Sequence, residues 1–369
     1  MNKIEQLLEK YCPDGVEFKE LWKVCEVANN KRKPIRADLR IPWETPYYWA
    51  NNVQDYVEWF THDGNYVLIA EDGSSDLNNY SIQFTSGKFW ANNHVHVISG
   101  LDFLNTKFLF YYLKNMNFLP FLSWLPRAKL TRTKMVSIPI PIPPIEVQQE
   151  IVKILDTFTQ LEAELEAELE ARKKQYEYYR DEMLSFEDDE VEWKELGDFA
   201  EIWTGRHDTR DAIIDWDYTF YARGKDPLKL NTFDFNETAI ITAWDWAGVG
   251  KVYHWVEGKY ALHQRAYRIV PNSELNPRYA YHYLVTKFYF YICKASVSSS
   301  VTSLRRPMFL KFPIQIPSLQ KQQEIVDVLD KFDALVNDIS SGLPAEIKAR
   351  KQQYEYYREK LLTFKRLEK

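Results

Sequence analysis

One long stretch of this chain is spelled twice, and that repeat restricts the fold more than any other feature. Residues 148–186 read QQEIVKILDTFTQLEAELEAELEARKKQYEYYRDEMLSF, and residues 322–364 read QQEIVDVLDKFDALVNDISSGLPAEIKARKQQYEYYREKLLTF. Both copies carry QQEIV at one end and QYEYYR at the other, with about four more residues between these anchors in the second. In the first copy Ile151, Leu155, Phe158, Leu161, Leu165, Leu169, Tyr176, Tyr179, Met183 and Phe186 keep the three/four spacing that lines one side of a helix. In the second, Ile325, Leu329, Phe332, Leu335, Ile339, Leu343, Ile347, Tyr354, Tyr357, Leu361 and Phe364 do the same. A helix of roughly 40 residues is about 60 Å long and must bury its apolar stripe against another long helix. The chain supplies one candidate, its own second copy, so the expected arrangement is a pair of rods with coiled-coil spacing. Rods are spacers, and what they hold apart should carry the function.

The rest of the chain repeats as well. VEFKELWKVCEV (residues 16–27) recurs as VEWKELGDFAEI (residues 191–202). The second phrase follows a rod directly. The first follows only a short amphipathic helix with Ile4, Leu7, Leu8 and Tyr11 on one side, broken at Pro13-Asp14-Gly15. That helix is expected to replace a missing rod end and to pack near the C-terminus. The chain then reads as a circular repeat cut open: 1–15 N-terminal helix, 16–142 first globular block, 143–187 central spacer, 188–316 second block, 317–369 distal spacer. Each block alternates strand-like runs with one helix, as in residues 66–73, 81–99 and 107–115, and again in 239–255, 259–270 and 277–292. Each closes on an extended run, RAKLTRTKMVSIPIPIPP (127–144) or RRPMFLKFPIQIPS (305–318), because proline fixes its own φ and keeps its predecessor out of the helical region. Pro143-Pro144 and Ser318 are suitable helix starts. KFWANNHVHVI and KYALHQRAYRI share a pattern but little identity, which suggests two domains doing similar jobs on different targets.

Composition removes several classes. Three cysteines (Cys12, Cys25, Cys293) without paired spacing make neither a disulfide framework nor a zinc site. There is no bilayer-length apolar run and no signal-peptide block, so a cytoplasmic protein without membrane contact is expected. The net charge of −6 is unevenly placed: residues 146–190 hold 15 acidic and 5 basic side chains, whereas residues 16–145 and 191–318 each sum to +2. An acidic spacer between mildly basic blocks fits a binder whose contacts lie in the blocks, although an acidic run is also simply a solvated helix face. No catalytic signature is present. AGVGK (Ala247 to Lys251) lacks the first glycine and the Ser/Thr of a phosphate loop, and neither G-x-G-x-x-G nor H-E-x-x-H occurs. His62, His94, His96, His207, His254, His263 and His282 are scattered. The chain is expected to catalyse nothing and to hold no cofactor or metal of its own.

Through IPIPIPPIEVQQEIVKILD, KARKQQYEYYREKLLTF, their duplicates and GVGKVYHWVEGKYALHQRAY, the sequence resembles the DNA specificity subunits of type I restriction–modification enzymes. The resemblance implies an α+β fold: two globular α/β target recognition domains, inverted relative to each other, joined by two long antiparallel coiled-coil helices in a pseudo-two-fold, circularly permuted repeat. It implies that each domain reads half of a bipartite target in double-stranded DNA. It implies two methyltransferase subunits docked on the scaffold and restriction/translocase subunits in the full complex, with S-adenosylmethionine, ATP and Mg held by those partners. LEAELEAELEA (Leu161 to Ala171) looks like the short repeats whose number sets half-site spacing in some members. Half-sites on one duplex face lie about 34–36 Å apart. Four extra helical residues add ~6 Å and rotate the segment beyond them by ~40°.

Several side chains are candidates for DNA contact. Arg127, Lys129, Arg132 and Lys134 in the first block, and Arg305, Arg306 and Lys311 in the second, are basic stretches beside the rods and suit phosphates. Lys31, Arg32, Lys33 and Arg36 with Asn29 and Asn30, and Arg206, His207, Arg210, Arg223 and Lys225, occupy polar loops. Arginine pairs with guanine and asparagine with adenine in the major groove, which makes these loops candidate readers. Asn92, Asn93, His263, Gln264 and Arg265 sit in strand-like runs, where hydrogen bonding inside the domain competes with base contact. Tyr176, Tyr178, Tyr179, Tyr354, Tyr356 and Tyr357 are read as seam residues, with any that fall off the seam free to dock a partner. The acidic helix should face a methyltransferase subunit or point away from the duplex. Two other classes remain open: a self-contained type II-like restriction or methylation enzyme, and a coiled-coil adaptor that binds only proteins.

Overall fold

The computed structural model describes residues 6, 9–123, 128–187, 190–214, 217–243, 250–295 and 304–367. It divides into two compact units, Met1–Leu165 with Ile347–Lys369, and Glu166–Glu346. In the first unit a two-stranded ribbon joins β1 (Phe18–Glu20) to β8 (Pro139–Pro141). A six-stranded sheet is built from β2 (Cys25–Val27), β3 (Pro42–Tyr48), β4 (Val53–Val57), β5 (His62–Ala70), β6 (Ile82–Ala91) and β7 (Val95–Gly100), in the order β2-β7-β5-β6-β3-β4. The second unit has the ribbon β9 (Trp193–Glu195) with β16 (Pro313–Gln315). Its sheet contains β10 (Ala200–Thr204), β11 (Tyr218–Tyr221), β12 (Leu228–Leu230), β13 (Phe235–Ala243), β14 (Tyr253–Leu262) and β15 (Ala266–Pro271), in the order β10-β15-β13-β14-β11-β12. The two orders are the same, strand for strand. Both sheets are antiparallel except for β3 on β6 and β11 on β14.

Each sheet curls back on itself. Val95 pairs with Ala70, yet Ala91, four residues earlier, lies beyond the Phe89 that pairs with His62 at the other end of β5. Four residues reach at most about 14 Å, whereas a straight strand from His62 to Ala70 would run about 26 Å. The hairpin therefore bends, at Gly64 (φ +135°) facing Gly87 (φ +82°), and Phe89 and Ala91 fold in against Leu68 and Val97. The other face of the sheet carries α1 (Thr106–Lys114), whose Phe108 and Leu109 pack with Val67, Ile69 and Ile98. In the second unit α3 (Pro277–Tyr283), continued by a π-turn over Leu284–Phe288 and a helix over Tyr289–Ala295, occupies this place.

The duplicated QQEIV motif is a joint. The central spacer is the single helix α2 (Ile145–Met183), and its Val147, Ile151 and Leu155 belong to the core of the first block. Gln148 is fully buried; its Oε1 accepts from Asn105 N at 2.8 Å, and its Nε2 donates to Phe103 O at 3.0 Å and Pro143 O at 2.7 Å. Gln322, equally buried, repeats this with Asn276 N (2.7 Å), Glu274 O (3.1 Å) and Pro317 O (2.8 Å). Asn105 and Asn276 are themselves N-caps, accepting from Lys107 and Phe108 N and from Arg278 and Tyr279 N. Two turns along, Asp156 accepts from Lys107 Nζ (2.8 Å) and the Tyr111 hydroxyl (2.6 Å). Asp330 accepts from Arg278 Nε and lies at the same 2.7 Å from His282 Nε2.

The distal spacer differs from expectation. It is not one helix but two, α4 (Leu319–Asn337) and α5 (Leu343–Leu362). The extra residues of this copy form the break: Asp338 accepts from Ser340 N and Oγ, Gly342 N donates to Asp338 O at 3.0 Å, and a Cβ on Gly342 would lie 2.4 Å from Ala334 O. Ile339 is consequently 81% exposed instead of lying on the stripe. Within the first unit α2 and α5 run antiparallel, with Phe158 stacked 5.5 Å from Tyr357 and Glu162 paired to Lys351 at 3.2 Å. Within the second, Tyr176 and Tyr179 of α2 stack on Phe332 of α4. Tyr178 and Tyr356 leave the seam, at 64% and 61% exposure. Ile4, Leu7 and Leu8 of the expected N-terminal helix, and Ala247, Gly248 and Val249, lie outside the described residues. Val16, at the start of the first block, lies against the chain's last residues: Val16 N donates to Lys365 O (2.8 Å) and Leu367 N to Val16 O (2.9 Å). In the second unit the chain runs on through the matching place, and Gln315 Nε2 bridges Phe186 O and Val191 O. No described helix is long and apolar enough to cross a membrane.

Two outcomes test these joints. Gln148→Ala or Gln322→Ala leaves two carbonyls and one amide buried without partners and should cost about 3 kcal/mol in denaturant unfolding of the affected unit. For Asp330, burial raises the carboxyl pKa, but hydrogen bonds from His282 and Arg278 outweigh it and the folded value is depressed. Its contribution is therefore present above the unfolded carboxylate value of about 3.9 and is lost as pH falls through the folded one. Asp330→Asn should be less stable at pH 7 and should show a flatter decline in stability below about pH 4.

Candidate nucleic-acid interface

In the first unit the segment after β2 lies against the turn between β6 and β7. Ala28 N donates to Val97 O and Lys33 N to Ala91 O. Asn29 Oδ1 accepts from Val97 N at 2.9 Å while its Nδ2 meets His96 Nδ1 at 2.9 Å. Arg32 bolts the two together, donating to Glu71 (2.7 Å), Asn93 O (3.1 Å) and Val95 O (2.8 Å), and Lys129 reaches the same Glu71 at 2.9 Å. Burial alone would raise the Glu71 carboxyl, but hydrogen bonds from Arg32 and Lys129 hold its pKa below the usual carboxylate value. His96 is fully buried, and burial pushes its imidazole pKa down. Asn92, also buried, donates to the Tyr47 hydroxyl and accepts from His94 N.

The fold thus gathers residues 29–33, 92–94 and 129 from three distant places in the sequence, and sorts them. Arg32, Lys129, Asn29 and Asn92 hold the site together; Asn30, Lys31, Lys33 and Asn93 are left exposed on it. Arg132 and Lys134 are exposed on the short helix Arg132–Val136 just beyond Lys129. Arg36 is paired with Asp38 at 2.8 Å. Arg127 lies outside the described residues. A contact with no sequence signal joins the site: His94 stacks 4.0 Å from Trp49 and bonds Asp72.

The second unit builds the same juxtaposition from different side chains. Gly205 N donates to His263 O, His207 N to Leu262 O and Gln264 N to His207 O. Asp208 accepts from Arg210 Nε at 3.0 Å and from Gln264 Nε2 at 3.2 Å. Asp234, itself bonded by Leu262 N, accepts from Arg206 Nε at 2.8 Å, with His207 Nε2 3.2 Å away. His263 is buried, accepting from Arg265 N. Gln264 and Arg265 project outward. A cavity of about 280 Å³ lined by Thr209, Arg223 and Asp226 among others brings the 223–226 turn, with exposed Lys225, beside the 206–210 loop. Arg306 donates to Ile202 O (2.7 Å) and lies 3.9 Å over the half-exposed Trp203, next to Gly205 and Arg206 in sequence. Arg305 and Lys311 are exposed at the two ends of the helix Arg306–Leu310. Sequence reasoning does not single out Trp203; alternation along β10 points it outward, but only the fold sets Arg306 on it. Among the described residues no His/Cys/Asp/Glu group could hold a metal ion.

The chain as a whole is similar to known proteins. The family model described as the type I restriction modification DNA specificity domain matches residues 13–171 and again 188–349. A Haemophilus influenzae protein named as a type I restriction enzyme specificity subunit is 42% identical, over 98% of this chain and 98% of its own. The EcoR124I/EcoR124II specificity subunit of Escherichia coli is 32% identical over 64% of this chain and 66% of its own. The solved S subunit of a type I restriction–modification system from M. genitalium shares the fold at a TM-score of 0.64, with 15% identity over 94% of this chain and 95% of that one. A chain from a structural study of type I system assembly and conformational transition gives 0.59, at 13% identity over 95% and 98%. With the specificity domain matched twice and near-full-length identity above 40%, the chain belongs to the DNA specificity subunits of type I restriction–modification enzymes.

Proposed function

We propose that the two units read the two halves of a bipartite DNA target, while chemistry is left to partner subunits. The observation that carries this reading is the pair of loop-and-turn sites at the same place in sheets of the same order. One offers Lys31, Lys33 and Asn93, the other Arg206, Gln264 and Arg265. Equivalent placement with different donors suits two readers of different sequences. The exposed cations beside them, Arg132 and Lys134 in one unit and Arg305 and Lys311 in the other, suit phosphates and set register.

The rods support a scaffold for two methyltransferase subunits, with restriction/translocase subunits added in the full complex and S-adenosylmethionine, ATP and Mg bound by these partners. Tyr178 and Tyr356 occupy the same position in the two QYEYYR copies, and both stand exposed beside a seam tyrosine at 5.5 and 5.3 Å. In the second unit an apolar groove lined by Tyr179, Met183, Val328 and Phe332 runs alongside. The matching residues of the other copy are Tyr357, Leu361, Ile154 and Phe158. A docking feature present twice fits a partner present twice.

Footprinting of the chain with its methyltransferase should show two short protected patches around an unread gap; one continuous patch would overturn the bipartite reading. Replacing Arg305 and Lys311 by alanine should weaken binding to all duplexes alike and reduce the logarithmic salt slope by about 2. Tyr178→Ala with Tyr356→Ala should leave thermal unfolding unchanged and weaken methyltransferase uptake about tenfold per site in a titration followed by native mass spectrometry. Undiminished uptake would remove the tyrosines from the docking surface.

A further inference from the structure

One side chain of the first unit is fixed more firmly than an exposed turn requires. His94 follows Asn93 in the turn between β6 and β7, and four contacts hold it. Its N–H donates to Asn92 Oδ1 at 3.2 Å, and its carbonyl accepts from Glu71 N at 2.8 Å. Its ring lies 4.0 Å from that of Trp49, at 29° to it, and its Nδ1 is bonded to the Asp72 carboxylate. Trp49 is itself anchored, packed against the core of the unit and donating through its backbone N to Asn52 O at 3.0 Å. Glu71, next to Asp72, is gripped by Arg32 from the lead-in loop and by Lys129. The His94 side chain is nevertheless 31% exposed. Its other ring nitrogen, Nε2, has no partner among the described residues and is open to solvent.

Strand pairing shows what stands at this position in the second unit. Val95 pairs with Ala70, and Ala266 with Ala243, so His94 is placed where the second unit carries the exposed candidate reader Arg265. An arginine is always a donor, whereas a histidine changes sense with its proton. A carboxylate only accepts, so Nδ1 keeps its hydrogen toward Asp72 and the neutral ring presents Nε2 outward as an acceptor. We propose that His94 is a base-reading residue of the first half-site, its Nε2 accepting from an amino group on a base edge in the major groove. The inference rests on the DNA-reading function proposed above. In that groove the matching donors are the adenine N6 and cytosine N4 amino groups. Asp72 and Trp49 are then positioning residues, one setting the tautomer and the other the plane of the ring. Protonation places a hydrogen on Nε2 and reverses the preference, toward guanine N7 and O6 or thymine O4. The other titratable and charged groups around the ring are engaged or stand apart from it. Glu71 is held by Arg32 and Lys129, while Lys31 and Lys33 are exposed on the lead-in loop. His96 is buried with Nε2 2.7 Å from Leu130 O, and burial lowers its pKa; burial pushes the Tyr80 hydroxyl up to about 12.

The test is selection of duplexes from a sequence-randomised pool by the full chain assembled with its methyltransferase subunits. It is run at about pH 8 and at about pH 5.5, a span in which histidines titrate. At the higher pH the parent chain should select adenine or cytosine at one position of one half-site. At the lower pH that position alone should shift by about tenfold toward guanine or thymine. His94→Arg should show the acceptor preference, guanine above all, at both pH values. Asp72→Asn, whose amide both donates and accepts, releases the tautomer and should flatten discrimination at that position at the higher pH. Melting temperatures are measured alongside, and the parent compared with itself at two pH values decides the matter even where a variant is destabilised. Identical selected sequences at both pH values would overturn the role of His94 and leave the bipartite reading standing. A pH shift that survives in His94→Arg would overturn it equally. Selection of no separated half-sites at either pH would overturn the bipartite reading itself.

Discussion

The buried amide of Gln148, and its double at Gln322, is the interaction on which the rest of the architecture depends. One side chain satisfies two carbonyls and one amide at the place where an extended proline run becomes a helix and a domain helix starts. Both segments end with backbone groups that no helix or strand can pair, and burying them unpaired would cost about 1–3 kcal/mol each. The glutamine removes that cost and, because its three bonds have fixed directions, sets the angle at which the rod leaves its domain. Asp156 and Asp330 repeat the constraint two turns on, so the helix is held at two points and its roll about its own axis is also set. Each helix therefore leaves its domain with direction and roll both set, which on the proposed function suits two half-sites at a fixed separation.

Away from the joints the two units solve the same topology by different packing. In the first, the inside of the curl is aromatic: His62 stacks on Phe89 at 5.0 Å, with Tyr66 edge-on. At the matching place in the second, Tyr260 replaces Phe89 and bonds Glu237, which also accepts from the nearly buried Arg268, itself paired to Glu201. A charge network around a buried arginine and an aromatic stack are not interchangeable one residue at a time, since half of either leaves unpaired charge or a void. This explains why the interiors share a pattern but little identity. Part of the attachment does not depend on side-chain identity, because Ala91 O and Leu262 O accept from Lys33 N and His207 N of the lead-in loops, backbone to backbone.

Sequence alone carries the parts that local chemistry decides. The rods and proline runs are legible because heptad-like spacing, helix starts and turn residues act over a few positions. The break at Asp338–Gly342 is written in the four additional residues of the second copy, but a stripe continued through Ile339 and Leu343 conceals it. The site is half legible. Lys31, Arg32 and Lys33 look alike in a string; only strand pairing decides that Arg32 turns to Glu71 while its neighbours stay in solvent. Likewise Trp203 is an ordinary strand residue until Arg306, about a hundred positions later, is laid across it.

The carboxylates around the candidate readers of the second unit bear on specificity. Arg206 and Arg210 are 75% and 90% exposed, yet each already has a partner, Asp234 or Asp208. On the proposed function, an arginine moving to a base edge must leave that partner. Asp234 keeps the Leu262 amide and stands beside His207 when this happens, so the carboxylate is not stranded. The exchange is close to balanced for a base that accepts two well-aligned hydrogen bonds and unfavourable for one that does not, since the ion pair is then lost without replacement. A bare cation would gain from any phosphate or acceptor nearby. On the proposed function, tethering the second unit's readers to acids, while Arg305 and Lys311 of the same unit stand exposed, separates discrimination from affinity.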